Sequence, residues 1–116
     1  MSVRTEKVAS LIKQEMSLIV QRTFRMEEFG FITITDVRMS PDLKIAKVYV
    51  SIFGNAEQKE KVLGHLEAEK SSMRAALGHV IRLKFTPSIV FYLDETLDRA
   101  MNIENILHRI HKGEIE

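Results

Sequence analysis

Apolar residues at Val8, Leu11, Ile12, Met16, Ile19 and Val20 recur three and four apart, with Glu6, Lys7, Lys13, Gln14, Gln21 and Arg22 between them. That spacing predicts an amphipathic helix of several turns ending near Phe24. A short charged connection through Glu27 and Glu28 leads to Gly30. The pattern then changes period. Phe31 to Met39 is rich in β-branched residues and predicts a strand. Ser40-Pro41-Asp42 is a turn signal, because proline presets its φ and aspartate bonds nearby backbone. A second strand follows, with Ala46, Val48, Val50 and Ile52 on one face and Lys47, Tyr49 and Ser51 on the other. So short a turn makes the two strands an antiparallel hairpin.

Asn55, with Gln58 three residues on, predicts a capping box at the start of the next helix, which buries Val62, Leu63 and Leu66. Ser71-Ser72 is expected to break or bend it, since serine competes for helical hydrogen bonds. Met73, Ala76, Leu77, Val80 and Ile81 then form a second short apolar stripe. Thr86-Pro87 introduces a third strand, Ile89 to Leu93. Ala100, Ile103, Ile106, Leu107 and Ile110 close the chain with a helix. The order is α-β-β-α-(break)-α-β-α, an α+β fold in which helices cover one face of a three-stranded sheet. The third strand arrives by a helical crossover and so can lie parallel to a strand of the hairpin.

Composition narrows this. A chain of 116 residues that is 45% hydrophobic fits one domain over residues 1–116 with a real core. It contains no cysteine, which removes disulfides, thiolate catalysis and cysteine zinc sites. No apolar run approaches the roughly 20 residues a bilayer demands, and the N-terminal residues lack a signal-peptide block. A cytoplasmic protein is expected.

The net charge of +1 hides a local asymmetry: from Lys70 to Leu93 there are four cations, Lys70, Arg74, Arg82 and Lys84, and no acid. Lys44 and Lys47 add charge beside and after the Pro41 turn, and Arg22 and Arg25 lie at the end of the first helix. These eight are the candidate RNA-binding residues, because a one-signed patch is the footprint of a polyanion binder. Phosphate contacts give affinity and orientation without reading sequence. Tyr49, Phe91 and Tyr92 are able to stack on bases, although strand aromatics more often serve packing.

Catalytic chemistry has no constellation behind it. His108 and His111 are three apart on the last helix, with no acid in that turn apart from Glu104, which is thin company for a metal site. Asp94, Glu95 and Asp98 precede that helix, where acids favour its N-terminal dipole and Thr96 or Asp98 serves as a cap. Ser40 and Ser51 have no histidine at a recognisable spacing. Met16, Met39, Met73 and Met101 read as core fillers. No enzyme, cofactor or metal is expected, which leaves binding.

Four segments carry a recognisable pattern: Lys7-Val8-Ala9-x-x-Ile12, then Ile32-Thr33-Ile34-Thr35-Asp36-Val37 with Ser40-Pro41-Asp42-Leu43-x-x-Ala46-Lys47-Val48-Tyr49-Val50-Ser51, then Arg82-Leu83-Lys84-x-x-Pro87-x-x-x-Phe91-x-x-Asp94 and Ile103-x-x-Ile106-Leu107. Together they resemble the ribosome-binding factor A family of bacterial small-subunit assembly factors. The resemblance implies a KH-like fold and a monomer that binds the 30S subunit. Its RNA partner would be 16S rRNA near the 5′ end, with a non-catalytic part in late maturation and 5′-end processing. Ordinary KH domains clamp nucleic acid with a GXXG loop, which is absent here. The family uses a helix-kink-helix instead, typically with Ala-x-Gly at the kink. Aligning back from Pro87 puts Glu69-Lys70-Ser71 there, a departure at both ends. The rival reading is a protein–protein adaptor whose cations are merely solvated.

Overall fold

A computed structural model describes residues 2–96. Its elements are α1 (Val3–Thr23), α2 (Met26–Phe29), β1 (Ile32–Met39), β2 (Ile45–Ile52), α3 (Ala56–Ala68), α4 (Lys70–Val80) and β3 (Ser88–Leu93). The expected C-terminal helix, with His108, His111, Asp98 and Met101, lies outside the described residues.

Helix α1 starts where Ser2 accepts the Thr5 N–H, satisfying one of the donors a helix start leaves bare. The charged connection after it is a helical turn, α2, ended by Gly30 at φ 73°. Phe29 joins this turn to its neighbours edge-on, with ring centroids 5.1 Å from Phe24 and 5.0 Å from His65.

The β1–β2 turn is closed by Ser40 N–H to Ile45 O and Leu43 N–H to Ser40 O, each 2.9 Å. The Ser40 hydroxyl donates to Asp42 Oδ1 at 2.7 Å, and that oxygen also accepts the Lys44 N–H at 3.1 Å. Those two bonds, the hydroxyl's first, hold the Asp42 carboxyl below its ordinary pKa. Leu43 takes φ 62°, so the turn carries a left-handed leucine.

The sheet runs β1-β2-β3, with β1 and β2 antiparallel and β2 and β3 parallel. A shift of register between Ile34 and Asp36 leaves Thr35 in a bulge. Alternation in β2 is as expected: Ala46, Val48 and Val50 are wholly buried, Ile52 nearly so, while Lys47 is exposed and Tyr49 and Ser51 are half-buried. The buried face joins Ile12, Met16, Ile19 and Val20 of α1, Val62 and Leu66 of α3, and Met73 and Leu77 of α4 in one core. Burying such side chains stabilises by about 1.5–3 kcal/mol each.

Three expectations need correction. Leu11 and Val80, placed in apolar stripes by spacing, are 42% and 51% exposed. Leu11 flanks the stripe that Ile12 and Met16 bury, and Val80 is the last residue of α4. The break between the third and fourth helices falls at Glu69, two residues before the serines, which sit in the first turn of α4. Glu69 adopts φ −94°, ψ 2°, open to any L-residue, so the kink forms without the family's glycine. The capping box is as expected: Asn55 Oδ1 accepts the Gln58 N–H at 2.8 Å and Gln58 Oε1 accepts the Asn55 N–H at 2.9 Å.

Candidate nucleic-acid interface

Topology decides which cations meet. Because β2 and β3 are parallel, the residues preceding each strand emerge at the same end of the sheet. The Ser88 N–H donates to Lys44 O at 2.8 Å, binding the hairpin turn to the α4–β3 loop. Helix α1 runs antiparallel to β1: Ser2 and Thr5 lie against Met39 and Pro41, and Val20 and Phe24 against Ile32 and Thr33. The start of α1 therefore reaches that same end. Arg4, Lys44 and Lys84 converge there on a groove of about 220 Å³, floored by half-buried Leu43 and Leu83 and edged by Phe85 and Asp42. Phe85 is 67% exposed, and the Lys84 ammonium sits 5.6 Å from its ring centroid. Arg82, two residues before Lys84, is also exposed.

The eight candidate cations divide into groups. Lys44, Arg82 and Lys84 belong to this end. Lys47 stands exposed on the sheet face opposite the α1 and α3–α4 layer, across from Arg38 in register. Arg22 and Arg25 flank the other end of α1; at 1.5 Å per residue, Arg22 is roughly 27 Å along the axis from Arg4. Arg74 is engaged within the chain: its Nε donates to Pro87 O at 3.1 Å and a terminal nitrogen donates to Thr86 O at 2.7 Å. Lys70 pairs with Glu67 at 2.6 Å. The acid-free run Lys70–Leu93 thus holds two cations tied to their own fold and two that face solvent. Arg4 was missed by sequence reasoning, because its proximity to Lys44 and Lys84 depends on the helix direction.

The aromatics also separate. Phe91 belongs to the core, whereas Tyr49 and Tyr92 stack on the outer face with centroids 5.3 Å apart and planes 24° off parallel. The Arg38 guanidinium lies 5.2 Å from the Tyr49 ring and bonds Asp36 at 3.1 Å. Below this stack, Thr35 donates its hydroxyl to Asp94 Oδ2 at 2.7 Å and Thr96 N–H donates to Oδ1 at 3.0 Å. The Thr35 bond first, and those from Thr96 after it, hold the Asp94 carboxyl down at about 2. Among the described residues after β3, Asp94 is the acid that accepts this backbone N–H. Among the described residues, no group of three metal-ligating side chains occurs, and no helix is long and apolar enough to cross a membrane.

The family model for ribosome-binding factor A matches residues 4–107. Ribosome-binding factor A of Brevibacillus brevis is 42% identical over 107 residues, covering 92% of this chain and 88% of the relative. The crystal structure of ribosome-binding factor A from Thermus thermophilus superposes with a TM-score of 0.66 at 23% identity, covering 77% of this chain and 94% of that one. Coordinates of the Thermus thermophilus factor fitted into a cryo-EM map of its 30S complex superpose with a TM-score of 0.64 at 22% identity, covering 74% and 90%. At such identities these two structures speak to the KH-like fold alone.

Proposed function

Since the chain belongs to the ribosome-binding factor A family, we propose that it binds the small ribosomal subunit through rRNA phosphates at the turn end of its sheet. The observation that carries this is the groove, where, among the described residues, three cations from three distant segments meet a single acid. That acid is itself bonded into the turn. Phosphate contact at this end by Arg4, Lys44, Arg82 and Lys84 orients the domain on a folded RNA without reading base sequence. Lys70 and Arg74 support the fold beside it.

The partner is 16S rRNA near its 5′ end, and the role is non-catalytic, in the cytoplasm, by a monomer of one domain. Binding one rRNA arrangement more tightly than another shifts the subunit toward a maturation intermediate and so assists late assembly and 5′-end processing. A protein contact is the second reading. It is favoured by Phe31 and Phe53, 63% and 76% exposed and joined by the Phe53 N–H to Phe31 O bond.

Cosedimentation with 30S subunits across a salt series separates the two. Counterion release gives phosphate binding a steep negative slope of log affinity against log salt, roughly 0.9 per contact. Changing Arg4, Lys44, Arg82 and Lys84 together to Gln should flatten that slope by up to about 3 to 4. An unchanged slope and affinity would transfer the role to the adaptor reading.

A further inference from the structure

We propose that the turn-end groove is a pocket for one unpaired nucleotide, with the base on Phe85 over the Leu43–Leu83 floor and the phosphate among Arg4, Lys44 and Lys84. This rests on the rRNA-docking reading and names what the site takes. Cations that only rest on duplex phosphates need no apolar recess between them. Here the recess exists, and it has two half-buried leucines for a floor. Its volume of about 220 Å³ is below the range of roughly 300–1,000 Å³ typical of drug-sized ligands. A flat ring with its sugar suits it, and a run of bases does not.

Phe85 supplies the stacking surface. A phenylalanine with 67% of its surface in water, directly after Lys84 and sharing a groove with Arg4 and Lys44, is an apolar surface held next to charge. Base–aromatic stacking with nearby phosphate-binding cations is how single strands are held without sequence preference. The Lys84 ammonium lies over one face of the ring, 5.6 Å from its centroid, which leaves the opposite face for a base. Asp42 completes the recess. It is kept ionised by the Ser40 hydroxyl and the Lys44 N–H, and a carboxylate at the rim accepts hydrogen bonds from an exocyclic amine or a ribose hydroxyl. A base still paired within an A-form helix presents neither face to such a recess, so the ligand is an unpaired nucleotide in a loop, bulge or single strand.

The test is fluorescence anisotropy with a short labelled single-stranded oligouridylate and a labelled RNA hairpin stem of matched charge. The proteins are the unaltered chain, Phe85→Ala, Phe85→Trp and the Arg4/Lys44/Lys84→Gln triple variant. Phe85→Ala should weaken single-strand binding by roughly 5- to 150-fold, the range of one lost base stack, with its salt slope and its hairpin binding unchanged. Phe85→Trp should restore it. The triple variant should lose affinity for both RNAs and flatten both slopes. Single-strand binding by Phe85→Ala equal to that of the unaltered chain overturns the nucleotide pocket. If the triple variant still loses its salt slope on 30S subunits, the docking reading stands without it. No detectable single-strand binding by the unaltered chain also overturns the proposal.

Discussion

Val48 and Lys47 are neighbours on the central strand with opposite environments, and replacing each by Asp tests the register on which every surface assignment depends. Val48 is wholly buried and paired with Val37 on one side and Phe91 on the other. Val48→Asp forfeits about 1.5–3 kcal/mol of apolar burial. The new carboxyl has no partner in that layer, so it folds protonated. Taking up a proton at pH 7 by a group of ordinary pKa near 3.9 costs about 4 kcal/mol. The sum, roughly 6 kcal/mol, is comparable with the whole stability of a small domain, about 5–15 kcal/mol.

Lys47→Asp goes the other way. Lys47 is exposed and registered opposite Arg38, a like-charge pair that the change makes an opposite-charge pair worth about 0.2–1 kcal/mol. The poor strand propensity of aspartate offsets this on a scale of about 1 kcal/mol, so the net change stays within about 1 kcal/mol. Circular-dichroism melts at pH 7 decide the matter, and pH adds a second signature. A buried acid whose folded pKa is raised binds more protons folded than unfolded, so Val48→Asp should regain stability as pH falls toward 4. Equal losses for the two variants, or a larger loss for Lys47→Asp, would put β2 in the wrong register and refute the faces assigned here.

Further outcomes are expected. Ser71→Ala with Ser72→Ala should raise the melting temperature slightly, by a few tenths of a kcal/mol per site, without joining α3 to α4; backbone chemical shifts showing one continuous helix would refute a break set at Glu69. Arg74→Gln should lower stability by about 0.5–1.5 kcal/mol through the lost bonds to Thr86 and Pro87 while leaving the salt slope of subunit binding unchanged; a flattened slope with an unchanged melt would make Arg74 a phosphate contact instead. The depressed Asp94 carboxyl adds stability that is complete above its unfolded pKa near 3.8 and is lost as pH falls through about 2. Thr35→Val should therefore remove part of the acid limb between those values, and superimposable acid melts would refute the Thr35–Asp94 link.

The elements were legible because each announces itself locally. Asn55 and Gln58 mark a helix start, Ser40-Pro41-Asp42 a reversal, and Ala46 to Ile52 an alternating strand. The place of the kink came from the family resemblance, aligned back from Pro87, whereas the serines themselves pointed two residues too late. Serines advertise a break, whereas Glu69 makes one in a conformation that leaves no mark on residue choice. Helical spacing marked a stripe without its width, so Leu11 and Val80 were over-assigned. At the site, charge flagged Lys44, Arg82 and Lys84. It equally flagged Arg74, whose carbonyl acceptors are 12 and 13 residues away, a separation no local pattern encodes.

The convergence at the groove follows from strand direction more than from any motif. A hairpin alone would carry Lys44 at its turn and leave the 82–87 loop unplaced. The parallel docking of β3 onto β2 fixes Ile45 against Ser88, and from that single register the residues preceding both strands must share one end. The α1 direction then adds Arg4, since a helix that covers β1 antiparallel begins where β1 ends. The core that sets these directions consists of residues such as Val48, Ile89 and Met16, none of which reaches the groove. The groove cations are exposed and contribute little to that core. Charge at this end can therefore vary without cost to the fold, while the fold decides that whatever charge is placed there is presented as one surface. Arg74 is the exception that ties the two together: it is a cation by sequence, yet it acts as the clamp that holds the loop bearing Arg82, Lys84 and Phe85 against α4.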